Sequence, residues 1–117
     1  MPIFETWDIV RIPFPYVERP VRQRRPALVI AAEAPENAHR LLWLLMITSA
    51  ANRGWPGDVT ISDLREAGLP VASLVRPAKV ATIEARDAEK LGVLPVADRA
   101  LVAGYLRQRL VVALATV

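Results

Sequence analysis

The sequence predicts a mainly β (α+β) fold: a small, partly open β-barrel with short helical insertions and one C-terminal amphipathic helix. Three observations carry this. The apolar segments are short and rich in β-branched residues, proline or glycine follows almost every one, and a sustained helical period is found only near the end of the chain.

Taken in order, WDIVRIPF (Trp7 to Phe14) places Val10, Ile12 and Phe14 on one face and reads as the first strand. Pro13, Pro15 and Pro20 end it, because proline donates no ladder hydrogen bond, and the reading leaves Tyr16 to Arg24 as a loop. Ala27 to Ala32 is a continuous apolar run suited to a buried strand, and Pro35 and Asn37 supply turn chemistry after it. Leu41 to Thr48 is a third strand, placed before the breakers Asn52, Gly54 and Pro56. Asp58 to Ile61 is a brief fourth, followed by one helical turn that Ser62 or Asp63 caps and Gly68 stops. Val71 to Arg76 and Lys79 to Ile83 read as two strands split by Pro77, and Asp87 to Leu91 as a small helical turn. From about Val96 to Ala113 the pairs Leu101/Val102 and Tyr105/Leu106, then Leu110 and Ala113, recur at helical spacing.

With 117 residues, 53% of them hydrophobic, residues 1–117 are expected to form a single domain with its own core. No cysteine is present, so neither disulfides nor thiolate metal sites contribute. The first residues lack the basic-then-apolar pattern of a leader, and Leu41 to Ile47 is far too short to span a bilayer. The simplest expectation is a soluble protein of the cytoplasm without membrane association. The net charge of +3 is modest but uneven, since Arg11, Arg19, Arg22, Arg24 and Arg25 crowd the first quarter. Such clustering points to an anionic partner.

Familiar chemistries are poorly represented. A metal site needs several ligands at suitable spacing, and the one histidine, His39, lies in a turn segment; neither metal nor cofactor is expected. No glycine-rich phosphate loop or nucleophile–base pair is evident. Arginines, hydroxyls and one tryptophan remain. Arg25 stands before Pro26 at the mouth of a buried strand, where a fixed guanidinium fork suits a phosphate, although charge alone equally fits a solvated cluster of Arg22, Arg24 and Arg25. Thr48 and Ser49 are either turn caps or ligands. Trp55 either stacks on a base or covers the edge of the core.

In sequence order, WDIVRIPFP, RRPALVI, LLMITSA, GLP, SLVRPAKVATIE, LGVLP and the terminal helix resemble the MazF/PemK family of toxin endoribonucleases, over Trp7 to about Leu110. No single motif is specific; their order and spacing are. The resemblance implies an SH3-like barrel, a homodimer, and metal-free, sequence-specific cleavage of single-stranded RNA through attack by its own 2′-hydroxyl. It also implies a cognate antitoxin whose extended, acidic segment occupies the RNA groove. Carried onto this sequence, the catalytic residues are Arg25 of the RP motif, Thr48 of the ITS motif and Arg76 of SLVRP, with Arg22, Arg24, Ser49, Asn52 and Trp55 as RNA contacts. Trp7 replaces the usual glycine before Asp8, and Ala78 stands where some relatives carry a catalytic aspartate. The general base stays unassigned, Glu18 being the nearest carboxylate. The alternative implied by the same superfamily is a noncatalytic binder of gyrase, RNA or antitoxin on this fold.

Overall fold

The computed structural model describes residues 3–14, 23–34 and 40–115. Among them, six strands form one antiparallel sheet: β1 (Asp8–Phe14), β2 (Gln23–Ala32), β3 (Leu41–Ser49), β4 (Val59–Thr60), β5 (Ser73–Glu84) and β6 (Glu89–Val93). Their spatial order is β4-β5-β3-β2-β1-β6, curled into a half-barrel. A one-turn helix, α1 (Leu64–Ala67), precedes β5, and a long helix, α2 (Val96–Ala115), follows β6.

The continuous apolar sequences of β2 and β3 arise because the middle of the sheet is buried on both faces. Ile9, Leu28, Leu45, Ile47 and Val75 face α1 and α2, packing with Ala67, Leu94 and Val102. Val10, Ile12, Ala27, Val29, Leu44 and Met46 point the other way, into a second cluster completed by Phe4, Leu42 and Ala85. Register shifts at Ile9/Val10, Val29/Ala31 and Leu45/Met46 interrupt the β1–β6, β2–β3 and β3–β5 ladders. Shifts of this kind bend a sheet by increasing its local twist.

Several expected elements are corrected. β2 covers Gln23–Ala32, so Arg24, expected in the loop, and Arg25, expected just before the strand, both lie on β2. Pro26 is tolerated there because residues 23–26 pair with β1 while the ladder to β3 starts only at Ala27. The two strands expected around Pro77 are one, β5; Arg76 pairs with Met46 and Val80 with Leu45, so Pro77 to Lys79 bulge out where no ladder bond is needed. The helical turn expected over Asp87 to Leu91 is instead a 3-10 turn at Ala85–Asp87 followed by edge strand β6, whose partner is the open side of β1. The α2 stripe is only partly used: Val102 is buried and Tyr105 and Leu106 half-buried, whereas Leu101 and Leu110 stay exposed. The α1 boundaries follow the sequence, with Asp63 Oδ1 accepting from the amides of Arg65 and Glu66 and Gly68 closing the turn at φ 74°.

Trp7 adopts φ 80°, a left-handed conformation that costs an L-residue about 1–3 kcal/mol and explains why glycine suits this position. Neighbours hold it there. Its amide donates to Val29 O and its carbonyl accepts from Leu94 N, both at 2.8 Å. Buried Asp8 closes the turn by accepting from the Glu5 amide at 2.9 Å, and its other oxygen lies 3.3 Å from Lys90 Nζ. The indole packs on the α2-side core, with the Arg99 guanidinium 5.8 Å from its ring centre.

Candidate functional site

At the end of the sheet where β2 begins, β3 finishes and residues 69–73 lead into β5, a groove of about 480 Å³ opens. Gln23, Arg24, Arg25, Thr48, Ser49 and Ser73 give it polar groups, and Pro26, Ile47, Leu69, Pro70 and Val71 supply apolar walls. The described residues lining it include two arginines and no carboxylate or imidazole, so it favours anions.

Strand alternation explains why Arg25 and Thr48 meet in this groove although they are far apart in sequence. Ala27 pairs with Met46, and Arg25 and Thr48 stand two residues from each on the same sheet face. Arg25 is half-buried, and its Nη2 donates to Gln23 Oε1 at 3.0 Å, a contact between two side chains on one face of β2. Gln23 was not identified from the sequence; its position two residues before Arg25 is the signal, legible once the strand is known to start there.

Thr48 Oγ1 accepts from Asn52 Nδ2 at 2.9 Å. A hydroxyl has one donor and two acceptor positions, so this bond fills an acceptor position and leaves the Thr48 proton available to a phosphate oxygen. Ser49 has a structural duty, since its Oγ accepts from the Ala51 amide at 3.2 Å and caps the 3-10 turn at Ala50–Asn52. Arg24 is exposed on β2, with Nη1 3.6 Å from Glu89 Oε2, a carboxylate also held by Arg11 Nη2 at 2.7 Å. Arg22, together with Arg19, Glu18 and His39, lies outside the described residues.

Arg76 is placed differently from Arg25. It is buried and does not line the groove. Its Nε and Nη2 donate to Asp58 Oδ1 and Oδ2, each at 3.1 Å, and Nη2 also donates to the backbone carbonyl of Asn52 at 2.6 Å. Trp55 covers the guanidinium, 4.4 Å from ring centre to Cζ, and remains about half exposed at 49%. Asp58 also accepts from the amides of Gly54 and Trp55, at 3.3 and 3.1 Å. Burial pushes its carboxyl upward, but hydrogen bonds from Arg76 and from the Trp55 amide, the Arg76 charge and the Gly54 amide together hold it below the usual carboxylate range. Gly57, at φ 84°, completes the turn against the Tyr105 ring of α2, where a Cβ would collide. Asp58 was read from the sequence only as the start of a strand; the missed signal is that a buried arginine requires a carboxylate partner.

Among the described residues no group of three or more His, Asp or Glu could hold a metal ion, and no helix is long and apolar enough to cross a membrane.

MazF from Deinococcus radiodurans superimposes with a TM-score of 0.70 at 28% identity, covering 94% of this chain and 98% of that one. The same organism's MazE–MazF complex gives 0.69 at 27%, covering 94% and 97%. An endoribonuclease in complex with its cognate antitoxin, from a mycobacterial species, shares the fold at 18% identity, with a TM-score of 0.67 and coverage of 90% and 92%. No curated protein is significantly similar in sequence. The profile describing PemK-like, MazF-like toxins of type II toxin–antitoxin systems matches residues 5–110, and the chain belongs to that family.

Proposed function

We propose that this toxin is a metal-independent endoribonuclease that cuts single-stranded RNA at short sequences by 2′-hydroxyl attack. The observation that carries the reading is the convergence of Arg25 and Thr48 in one anion-favouring groove. In-line attack requires the 2′-oxygen to be aligned, its proton to pass to solvent, the extra charge on the phosphorane to be neutralised and the departing 5′-oxygen to take up a proton from solvent as its bond to phosphorus breaks, and needs no protein nucleophile. The Arg25 guanidinium binds the scissile phosphate as a planar donor and becomes more favourable as charge accumulates on the nonbridging oxygens. The Thr48 hydroxyl, its acceptor side held by Asn52, donates to one of those oxygens. Arg24 and Ser49 line the groove as RNA contacts, Asn52 and Trp55 stand on the turn that follows β3, and Arg22 belongs to the same arginine cluster in sequence.

The products expected are a 2′,3′-cyclic phosphate and a 5′-hydroxyl. The test is incubation of the purified chain with mixed RNA in EDTA, followed by end analysis. RNA left intact at high protein concentration removes the nuclease reading and favours the second one, a binder on the same fold. The absence of a carboxylate or imidazole among the described groove residues is what keeps that second reading alive.

The proposed inhibitor is an antitoxin with an extended acidic segment that competes for the groove, a reading supported by the antitoxin complexes among similar structures. The proposed assembly is a homodimer. Exposed Leu110, Val111, Val112 and Leu114 on α2 support it, since a run of this kind is uncommon on a free surface. Sedimentation of the purified chain as a monomer at micromolar concentration would remove that proposal.

A further inference from the structure

Both arginines carried over as catalytic, Arg25 and Arg76, need not act on the same atoms. Arg25 reaches the groove from a strand. Arg76 lies beneath the turn formed by residues 50–58, and its donors are directed into that turn: two to the Asp58 carboxylate and one to the Asn52 carbonyl. Asn52 in turn donates its side-chain amide to Thr48 Oγ1. A continuous hydrogen-bonded path therefore runs from a buried ion pair to the hydroxyl that enters the groove. The same pair fixes Trp55 from two sides, through the bond from its amide to Asp58 and through the guanidinium stacked under its ring.

We propose that Arg76 and Asp58 act together as positioning residues: the pair grips the 50–58 turn from below, aims the Thr48 hydroxyl through Asn52, and presents Trp55 as a fixed platform for a nucleobase. Arg76 then contributes to cleavage without touching the phosphate. This rests on the groove being the RNA-cleaving site. The inference differs from direct catalysis by Arg76 in what it requires of Asp58. A guanidinium working on phosphate would gain freedom and uncompensated positive charge when Asp58 loses its negative charge. A clamp would lose its grip. Asp58 is not among the residues lining the groove and its carboxylate is bound by Arg76, so an effect of its substitution on cleavage would travel through the turn.

The experiment uses the full chain labelled with 5-fluorotryptophan, the Trp55 resonance being assigned by its disappearance in Trp55→Phe. Asp58→Asn removes the charge but keeps the side-chain shape and one oxygen able to accept from Arg76, whereas Arg76→Met removes every donor of the pair; both leave a buried charge without its counter-ion, so folding of the variant is checked directly. Expected for Asp58→Asn is a Trp55 fluorine signal shifted toward its free-solution position, and a kcat about 10- to 100-fold lower at saturating RNA, at a temperature where circular dichroism shows the variant fully folded. Asn52→Ala combined with Asp58→Asn should then be no worse than the more damaging single change, since both break one path. An Asp58→Asn variant that cuts as fast as the parent or faster, a loss that merely tracks the unfolded fraction, or additive effects of the two substitutions overturns the proposal. Should the parent itself fail to cut RNA, the nuclease reading fails, while an unmoved Trp55 signal in Asp58→Asn would separately sink the clamp.

Discussion

Arg25 and Arg76 come from equally unremarkable contexts in sequence, RRPAL and SLVRP, yet the fold uses them in opposite ways. Arg25 is half-buried at a strand end that opens on a groove, steadied by the neutral side chain of Gln23. Arg76 is buried at mid-strand beside the β5 bulge, opposite a carboxylate that meets it with both oxygens. Arg25 reaches a groove that an anion could enter. An arginine kept for architecture is matched with an anion, because burying its charge unpaired costs several kcal/mol. The two arginines differ in burial and in what they face: a groove for Arg25, the Asp58 carboxylate for Arg76.

Four measurements sharpen or break this contrast. The largest effect expected is on stability: Arg76→Met should lower unfolding free energy by about 3–5 kcal/mol, because it leaves Asp58 charged in a site where the two side chains are only 10% and 11% exposed. Urea denaturation checks it, and a change below about 1 kcal/mol would mean that the pair is not the structural unit described. Arg25→Ala should do the reverse, reducing RNA cleavage about 10²- to 10³-fold while leaving the urea midpoint nearly in place. Comparable activity in that variant would remove Arg25 from the site.

The third effect follows from the lowered Asp58 pKa. A carboxyl whose folded value lies below its unfolded value of about 3.9 contributes stability above that pH, and the contribution is lost as pH falls through the folded pKa. The stability gap between parent and Asp58→Asn should therefore be constant from about pH 5 to 8 and shrink only in stronger acid. A gap that already closes near pH 6 contradicts the assignment. Arg24→Ala should give the smallest change. Its partner is 3.6 Å away and both side chains are more than half exposed, so the stability cost is about 0–1 kcal/mol. RNA affinity should fall modestly, and its salt dependence should become shallower.

The parts of the fold legible in the sequence are those set by local patterns. The alternation of β1, the apolar runs of β2 and β3, the Asp63 cap and the Gly68 stop of α1 lie where periodicity and capping chemistry put them. What was misread depends on distant partners. β6 is a strand because β1 has an open side, β5 is continuous because a bulge shelters Pro77, and Gln23 to Pro26 are extended because β1 runs alongside. None of these partners is visible within a window of ten residues. Arg25 and Thr48 were accessible as candidates because each sits at a strand terminus, where side chains leave the core. The duty of Arg76 was not, because a motif records a residue type and is silent about the carboxylate eighteen residues earlier in the chain that engages it.

The three register shifts place extra residues at Leu91 on β6, Ile30 on β2 and Pro77 to Lys79 on β5, opposite the middle stretches of β1 and β3, and so form a loose crease across the sheet. On one side of it lie the strand ends that carry Arg25 and Thr48; on the other lies the sheet margin with exposed Trp43. A crease localises curvature. Adding or removing one residue at such a shift alters how sharply the half-barrel closes, and with it the width of the groove between the ends of β2 and β3.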